Sequence, residues 1–209
     1  MKIFVVINNY GGCQEADNVF GGGDPVWFEL PDSSVCHEGN PFFVPDFADD
    51  FRAFPSVAYR IGRLGKSIAP KFAQRYIDGA AFAFSVVAVD LLEKLRAGAL
   101  PWNPAVAFDR SCLIGNFQPY PSLINNGSLN LACAEFQSDY SADAAILPIE
   151  DIIALLSRQN TLKTGDIILS ALSPAGIPLR PGTRLSASVP GMSGNLFSDT
   201  TNAIDIKIR

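Results

Sequence analysis

Residues 54–68 read FPSVAYRIGRLGKSI, a short apolar run that ends at an Ile-Gly turn. Apolar runs of four to eight residues bounded by Gly, Pro or Asn are typical of β-strands. Such runs recur along the whole chain, at residues 3–7, 57–61, 81–87, 129–134, 167–171, 185–189 and 204–208. The sequence therefore predicts a domain built mainly of strands.

Three segments have helical patterns instead. In residues 87–97, Val87, Leu91 and Leu95 lie four apart, as the buried face of a helix requires. Pro148 suits the first helical position of a second helix over residues 148–158, and a shorter helix is predicted over residues 70–76. We predict a mostly β (α+β) fold with a few helices packed against the sheets.

Length and composition indicate a folded domain. A chain of 209 residues suits one domain over residues 1–209, and 48% hydrophobic with 18% charged residues excludes a disordered protein. The apolar runs are too short to span a bilayer, so no membrane partner is expected. The net charge is −5, and Lys and Arg are not concentrated as a nucleic-acid surface requires.

The cysteines and the first residues favour a cytoplasmic location. Cys13, Cys36, Cys112 and Cys133 are widely and irregularly spaced, which matches neither a metal knuckle nor a disulfide framework. The first residues hold one charge and a short apolar stretch without a small-residue cleavage site. We interpret that stretch as the first strand.

Three longer stretches resemble the fumarylacetoacetate hydrolase family. They are residues 46–68 with the Ile61-Gly62 turn, residues 107–115 with Phe108-Asp109, and residues 157–182, which include TLKTGDIIL and PAG. Asn9-Tyr10 and Trp102 add to the likeness. The resemblance extends from about residue 2 to the C-terminus.

The resemblance implies a β-sandwich roll that usually dimerises. It also implies activity on diketo or 2-oxo acids with Mg²⁺ or Mn²⁺. Adjacent keto and carboxylate oxygens chelate a hard cation, which stabilises the enolate, and carboxylates hold that cation in the protein.

The family's functional positions hold different residue types in this chain. By resemblance, the paired metal glutamates correspond to Phe54 and Ser56, and the metal aspartate corresponds to Ser85. By the same resemblance, a substrate-contacting arginine and glutamine correspond to Val89 and Leu92, and two pocket lysines correspond to Val106 and Leu30. The lid's His and Glu correspond to Cys13 and Ala16, and a threonine corresponds to Ser170. Asp109 keeps its family identity, and Asn9 and Tyr10 are either pocket residues or residues that hold the first turn.

These replacements lead to our main expectation, a protein without a metal cofactor. A buried unpaired charge is costly in free energy, so the metal-binding carboxylates, the metal ion and the pocket lysine would be lost together. We expect a pseudoenzyme with a degenerate metal site and a binding or structural role. We also expect a homodimer, with a small-molecule ligand or a catalytically intact paralogue as a further partner.

An enzyme with a rearranged, metal-free site is the alternative. It would act as a hydrolase, isomerase or decarboxylase on a small 2-oxo or diketo acid. The substrate carboxylate would need a cation, for which Arg52, Arg60 and Arg110 are candidates, and Cys13 is a candidate nucleophile. His37 follows Cys36 directly, and neighbours on a strand point to opposite faces, so His37 is expected at the surface.

Overall fold

The computed structural model describes residues 1–12, 18–120, 128–133, 136–188 and 202–209. In these residues the strands are β1 (Ile3–Ile7), β2 (Val26–Leu30), β3 (Val35–His37), β4 (Phe51–Ile61), β5 (Ile77–Ala88), β6 (Cys112–Ile114), β7 (Gln118–Pro119), β8 (Ser128–Cys133), β9 (Phe136–Ser141), β10 (Ile167–Leu169), β11 (Ile177–Pro178), β12 (Arg184–Ser188) and β13 (Asn202–Lys207). The helices are α1 (Pro70–Ala73), α2 (Val89–Ala97), α3 (Asn103–Val106) and α4 (Ile149–Gln159), and 3₁₀ turns occur at Asp32–Ser34, Gln74–Tyr76 and Ala142–Ala144.

The described strands form two sheets. The larger is mixed and runs in the order β2-β1-β10-β4-β5-β6-β3, with β11 paired to β4 and β7 paired to β5. The smaller is antiparallel, in the order β13-β12-β8-β9. The predicted mostly β (α+β) fold is confirmed, whereas the single domain over residues 1–209 stays a prediction.

The antiparallel pair β4–β5 forms the middle of the larger sheet. Its register runs from Phe51 opposite Ala88 to Ile61 opposite Ile77, with one irregularity at the Ile61 end. Side chains alternate between the two faces of a strand. Each strand therefore contributes side chains to two separate cores.

The two cores lie on opposite faces of this pair. The first core includes Val57 and Phe84 from the pair, together with Ile152 from α4 and Leu185 and Ile206 from the smaller sheet. The second core includes Phe54 and Val87 from the pair, together with Leu30 from β2, Leu92 from α2 and Val106 from α3. The second core contains five of the family's functional positions, Leu30, Phe54, Val89, Leu92 and Val106, whereas Tyr10 packs against the first core.

Strand β4 begins earlier than the pattern predicts. Pro55 lacks an N–H and weakens a strand assignment for the residues before Val57. In the fold, β10 pairs with Ala58–Arg60 and β11 pairs with Arg52 and Ala53. Pro55 falls in the gap between these two partners, where its missing donor interrupts no ladder.

The predicted helices are present with shifted ends. The first begins at Val89 rather than Val87, because β5 continues to Ala88. Pro148 is the N-cap of α4 in an extended conformation rather than its first residue. Residues 70–76 form α1 followed by a 3₁₀ turn. In the described part of the chain, the helices are too short or too polar to cross a membrane.

The first strand of the chain pairs in the larger sheet with a strand that is distant in sequence. β1 pairs in parallel with β10, with Ile3 opposite Ile167. The buried carboxylate of Asp166 accepts the backbone N–H of Lys2 at 2.8 Å and that of Lys163 at 2.9 Å. This carboxylate fixes the turn before β10 to the start of β1.

Asn9 is a buried polar side chain that joins three segments. Its Nδ2 donates to the carbonyl oxygens of Ser170 at 2.8 Å and Leu147 at 3.1 Å, and its Oδ1 accepts the N–H of Leu147 at 2.7 Å. Buried polar groups that lose their partners are destabilising by about 1–3 kcal/mol each. Asn9 therefore holds the first turn of the chain, one of the two roles expected for it.

We predict that Asn9→Ala lowers the free energy of unfolding by about 2–4 kcal/mol, because it leaves buried backbone groups of Leu147 and Ser170 without partners. Urea unfolding followed by circular dichroism measures this. Asn40→Ala is the control, since Asn40 is exposed and should change stability by less than about 0.5 kcal/mol. Equal effects of the two substitutions would contradict this structural role.

Candidate active site

The fold brings the family's three metal-ligand positions together. Phe54 and Ser85 face each other directly across the β4–β5 pair, and Ser56 is the next residue of β4 on the same face. All three are fully buried. Leu30, Val89 and Val106 belong to the same apolar cluster as Phe54. The resemblance therefore names positions that are far apart in sequence but lie together in the fold.

The ring of Phe54 is closely packed in this site. It makes an edge-on contact with Phe20, with ring centroids 5.7 Å apart. The backbone of Gly176 lies against the same ring, so that a Cβ at residue 176 would lie 2.5 Å from Cζ of Phe54. Real Cβ atoms do not approach other atoms so closely. The loop after β10 therefore needs glycine at 176 because Phe54 is present.

The serine hydroxyls at this site differ in their partners. Ser56 Oγ accepts the N–H of Ala171 at 3.3 Å. Ser85 Oγ is buried and has no hydrogen-bond partner among the described residues. A buried hydroxyl without a partner is uncommon in folded proteins.

Three further predicted site residues have neighbours outside this cluster. Ser170 is buried in the loop after β10, where its N–H donates to the carbonyl of Val57 at 3.0 Å. The hydroxyl of Tyr10 accepts the N–H of Ser141 at 3.2 Å, and its ring packs on Tyr140. Asp109 is exposed in a turn, so it does not line the site.

The two weak catalytic candidates, Cys13 and Arg110, stay predictions. Cys13 and the nearby Ala16 lie outside the described residues. Arg110 is exposed, and its Nη1 donates to the carbonyl of Pro41 at 3.2 Å. His37 is exposed while Cys36 is buried, which confirms that they do not form a nucleophilic pair.

The buried thiols are not activated. Burial, with a smaller contribution from the neighbouring Cys36, raises the pKa of the Cys112 thiol to about 12. Burial also raises the pKa of Cys36, against the opposing effect of Arg110. A thiol acts as a nucleophile in its thiolate form, so neither residue is suited to covalent catalysis near neutral pH.

A charged group lies at the edge of the apolar site. Arg52 is two residues before Phe54 on the same face of β4, and its Cβ would lie 3.0 Å from a Cβ at residue 176. Its guanidinium contacts Asp50 through Nη2 at 2.6 Å and Nε at 3.0 Å, and Nη1 has no partner among the described residues. The guanidinium thus retains a donor for a ligand.

The surroundings of Arg52 keep it charged. The hydrogen bond with Asp50 raises the pKa of the guanidinium, burial opposes this, and the charges of Asp50 and Glu93 raise it again. Val89, at the family's arginine position, donates its N–H to the carbonyl of Asp50. A cation on β4 therefore lies near the place where the resemblance expects one on α2.

Asp50 and Glu93 were missed as functional candidates. Arg52 was named from sequence, but its partners come from a loop before β4 and from the second turn of α2. The i, i+4 spacing of Val89 and Glu93 could have indicated that Glu93 faces the same side as the family's arginine position.

The chain belongs to the fumarylacetoacetate hydrolase family. The sequence model described as "Fumarylacetoacetate (FAA) hydrolase C-terminal" matches residues 2–194. The mouse protein named oxaloacetate tautomerase FAHD1, mitochondrial, is 27% identical over 178 residues, covering 83% of this chain and 80% of that protein. The Dictyostelium discoideum oxaloacetate decarboxylase, mitochondrial, is 27% identical over 214 residues, covering 100% of this chain and 94% of that protein.

Solved structures share the fold. A fumarylpyruvate hydrolase from Pseudomonas aeruginosa, in complex with Mn²⁺ and pyruvate, matches with a TM-score of 0.80 and 20% sequence identity, covering 100% of this chain and 89% of that one. At this identity the likeness concerns the fold.

These comparisons correct our main functional expectation. The relatives are named as enzymes, so the expectation of a pseudoenzyme with a degenerate site and a binding or structural role is wrong. The expectation that no metal cofactor is involved is contradicted as well, because the matching fumarylpyruvate hydrolase holds Mn²⁺.

The side chains at the family's metal positions do not themselves fit a site of three carboxylates. Phe54, Ser56 and Ser85 supply two neutral hydroxyl groups, and Phe54 fills the space beside them. Within the described ranges, no group of three or more His, Cys, Asp or Glu side chains is placed to hold a metal ion.

We predict that Gly176→Ala lowers the free energy of unfolding by about 1–3 kcal/mol, because the added methyl group overlaps the Phe54 ring. Phe54→Ala should cost about 3–5 kcal/mol through the cavity it creates. In the Phe54→Ala background, Gly176→Ala should lower the free energy of unfolding by much less than in the wild-type chain, since the overlapping ring is gone.

Denaturant unfolding of the two single variants and the double variant measures the coupling. Gly98→Ala serves as the control, because a Cβ there would meet only the flexible side chain of Leu100 within 3.4 Å. Strictly additive effects of the Phe54 and Gly176 substitutions would show that this contact is absent.

Proposed function

We propose that the chain is an enzyme that acts on a small 2-oxo acid, by keto–enol tautomerisation or decarboxylation of a substrate of the oxaloacetate type. The observation that carries this proposal is the match of most of the chain to relatives named oxaloacetate tautomerase and oxaloacetate decarboxylase. The charged group at the edge of the site agrees with an anionic substrate.

Arg52 is the residue that we assign to binding of the substrate carboxylate. It lies beside Phe54 on the face that carries the family's functional positions, and its Nη1 lacks a partner among the described residues. A guanidinium stays charged and matches the planar carboxylate group. Arg60 lies at the opposite end of β4, where it pairs with Asp78, and is therefore less suited.

A carboxylate next to Arg52 supplies a base for the reaction. The hydrogens on C3 of a 2-oxo acid are acidic because the carbonyl at C2 accepts the electron pair. Glu93 is exposed and close enough to act electrostatically on Arg52, so it can accept the C3 proton. The C2–C3 double bond then forms, the oxygen at C2 takes up a proton from water, and Glu93 releases the C3 proton to water, which completes the enol and restores the base.

The buried side chains around Phe54 give the substrate an apolar wall. Phe54, Phe20 and Val106 are buried beside the edge where Arg52 lies. Apolar walls strengthen the interaction of the guanidinium with a carboxylate, since they exclude water from one side.

We predict that Arg52→Gln raises the KM for oxaloacetate by about 10- to 100-fold, because a hydrogen bond to a charged group is worth about 1.5–3 kcal/mol. Arg60→Gln is the matched control, since it removes a second arginine of β4 that also pairs with an aspartate. Ultraviolet absorbance of enol-oxaloacetate measures tautomerisation, and pyruvate release measures decarboxylation. Glu93→Gln should lower kcat with little change in KM.

The assays are run with added Mn²⁺ and with a chelator. Absence of turnover by purified wild-type protein in both conditions would overturn the proposed function. Equal kinetics of the Arg52→Gln and Arg60→Gln variants would overturn the assignment of Arg52 while leaving the activity in place.

We also propose partners for the chain and a cellular location. The family resemblance supports a homodimer, which light scattering would test, and a mixed dimer with a paralogue, which copurification would test. A cytoplasmic location stays a prediction, and several relatives are named as mitochondrial proteins.

A further inference from the structure

A second candidate site lies at the other end of β4. A surface cavity of about 290 Å³ is lined by Arg63, Leu64, Phe72, Arg75 and Tyr76. This volume is near the lower limit for small-molecule pockets. Since a strand rises about 3.3 Å per residue, Ile61 at this end of β4 lies roughly 30 Å from Arg52. This cavity is therefore separate from the proposed active site.

The wall of the cavity is fixed by a glycine. A Cβ at Gly65 would lie 2.5 Å from Cε1 of Tyr76, so the Tyr76 ring packs directly against the backbone of residue 65. That backbone is held in place by reciprocal hydrogen bonds of 2.9 Å with Leu162. The ring thus has a defined position before any ligand arrives.

The cavity carries positive charge in an acidic protein. The net charge of the chain is −5, yet residues 60–76 contain five Lys or Arg residues and no Asp or Glu. Arg60 is paired with Asp78, and Lys66 donates to the carbonyl of Gln159. Arg63 and Arg75 have no carboxylate partner in the described part of the chain. Two permanently charged guanidinium groups therefore line one cavity.

Aromatic and aliphatic surface completes the lining. The Arg75 guanidinium lies over the Phe72 ring, 5.0 Å from its centroid, which positions the charge by a cation–π contact. Phe72 is 41% exposed and Leu64 is 69% exposed, although both are large apolar side chains. Contiguous exposed apolar surface is typical of binding sites.

We propose that this cavity binds a small aromatic carboxylate. The carboxylate would lie between Arg63 and Arg75, and the flat ring would pack against Tyr76, Phe72 and Leu64. A guanidinium pair selects an anion, and two aromatic walls select a planar apolar body. The size of the cavity limits the ligand to about one ring.

Titration with benzoate tests the proposal. Two-dimensional ¹⁵N–¹H spectra of the full chain should show saturable shifts at residues 63–65 and 72–76, with a dissociation constant in the millimolar range. Benzamide has the same shape without the charge and should bind at least about tenfold more weakly, since charge-assisted hydrogen bonds are lost. Phenyl phosphate tests the anion class and should not bind more tightly than benzoate.

Substitutions locate the binding. Arg63→Gln and Arg75→Gln should each weaken benzoate binding by about tenfold or more, whereas Arg180→Gln, an exposed arginine elsewhere, should leave it unchanged. Gly65→Ala should also weaken binding, because the methyl group displaces the Tyr76 ring. If Gly65→Ala does not fold, the two arginine variants still decide the question.

Several results would overturn the proposal. They are equal affinities for benzoate and benzamide, tighter binding of phenyl phosphate, equal effects of Arg75→Gln and Arg180→Gln, or the absence of shifts at the cavity. A Leu64→Ser variant that halves the molar mass by light scattering would also overturn it, by showing that this surface is a contact between copies of the chain.

Discussion

The antiparallel pairing of β4 with β5 is the constraint on which the rest of the structure depends. Because side chains alternate along both strands, this pair supplies the first core on one face and the second core on the other. A shift of one residue in the register would exchange the two sets, so the cores and the register define each other. The candidate active site is one end of the second face, and the basic cavity adjoins the opposite end of the pair.

Much of this arrangement was predictable from the sequence. Alternation and apolar runs located most long strands, and the family resemblance placed Phe54, Ser56 and Ser85 in one site. Intrinsic strand propensity was misleading where pairing with other strands decides the secondary structure. Pro55 is compatible with β4 only because neither β10 nor β11 pairs at that residue, and this gap is invisible in the sequence. The short strand β6 has three residues and depends on β5 and β3 for its partners.

For the functional site, too, some features follow from the sequence and others depend on tertiary structure. The residue types at the expected family positions led to an inference of lost catalysis, which was wrong because the named relatives are enzymes. Sequence reasoning considered each position against its family counterpart. Arg52 was named as a candidate cation, but its ion pair with Asp50 and its position beside residue 176 become visible only in the fold. Proximity across strands is a property of the register and cannot be read from spacing along the chain.

The parallel pairing of β1 with β10 bears on how the protein is made. Lys2 and Asp166 form a hydrogen bond although they are 164 positions apart. At a synthesis rate of about 5–20 residues per second, roughly 10–30 s separate the translation of these two residues. During this interval the apolar strand Ile3–Ile7 has no parallel partner and offers a free edge. A chaperone that shields the nascent N-terminus would therefore have its greatest effect before residue 166 leaves the ribosome.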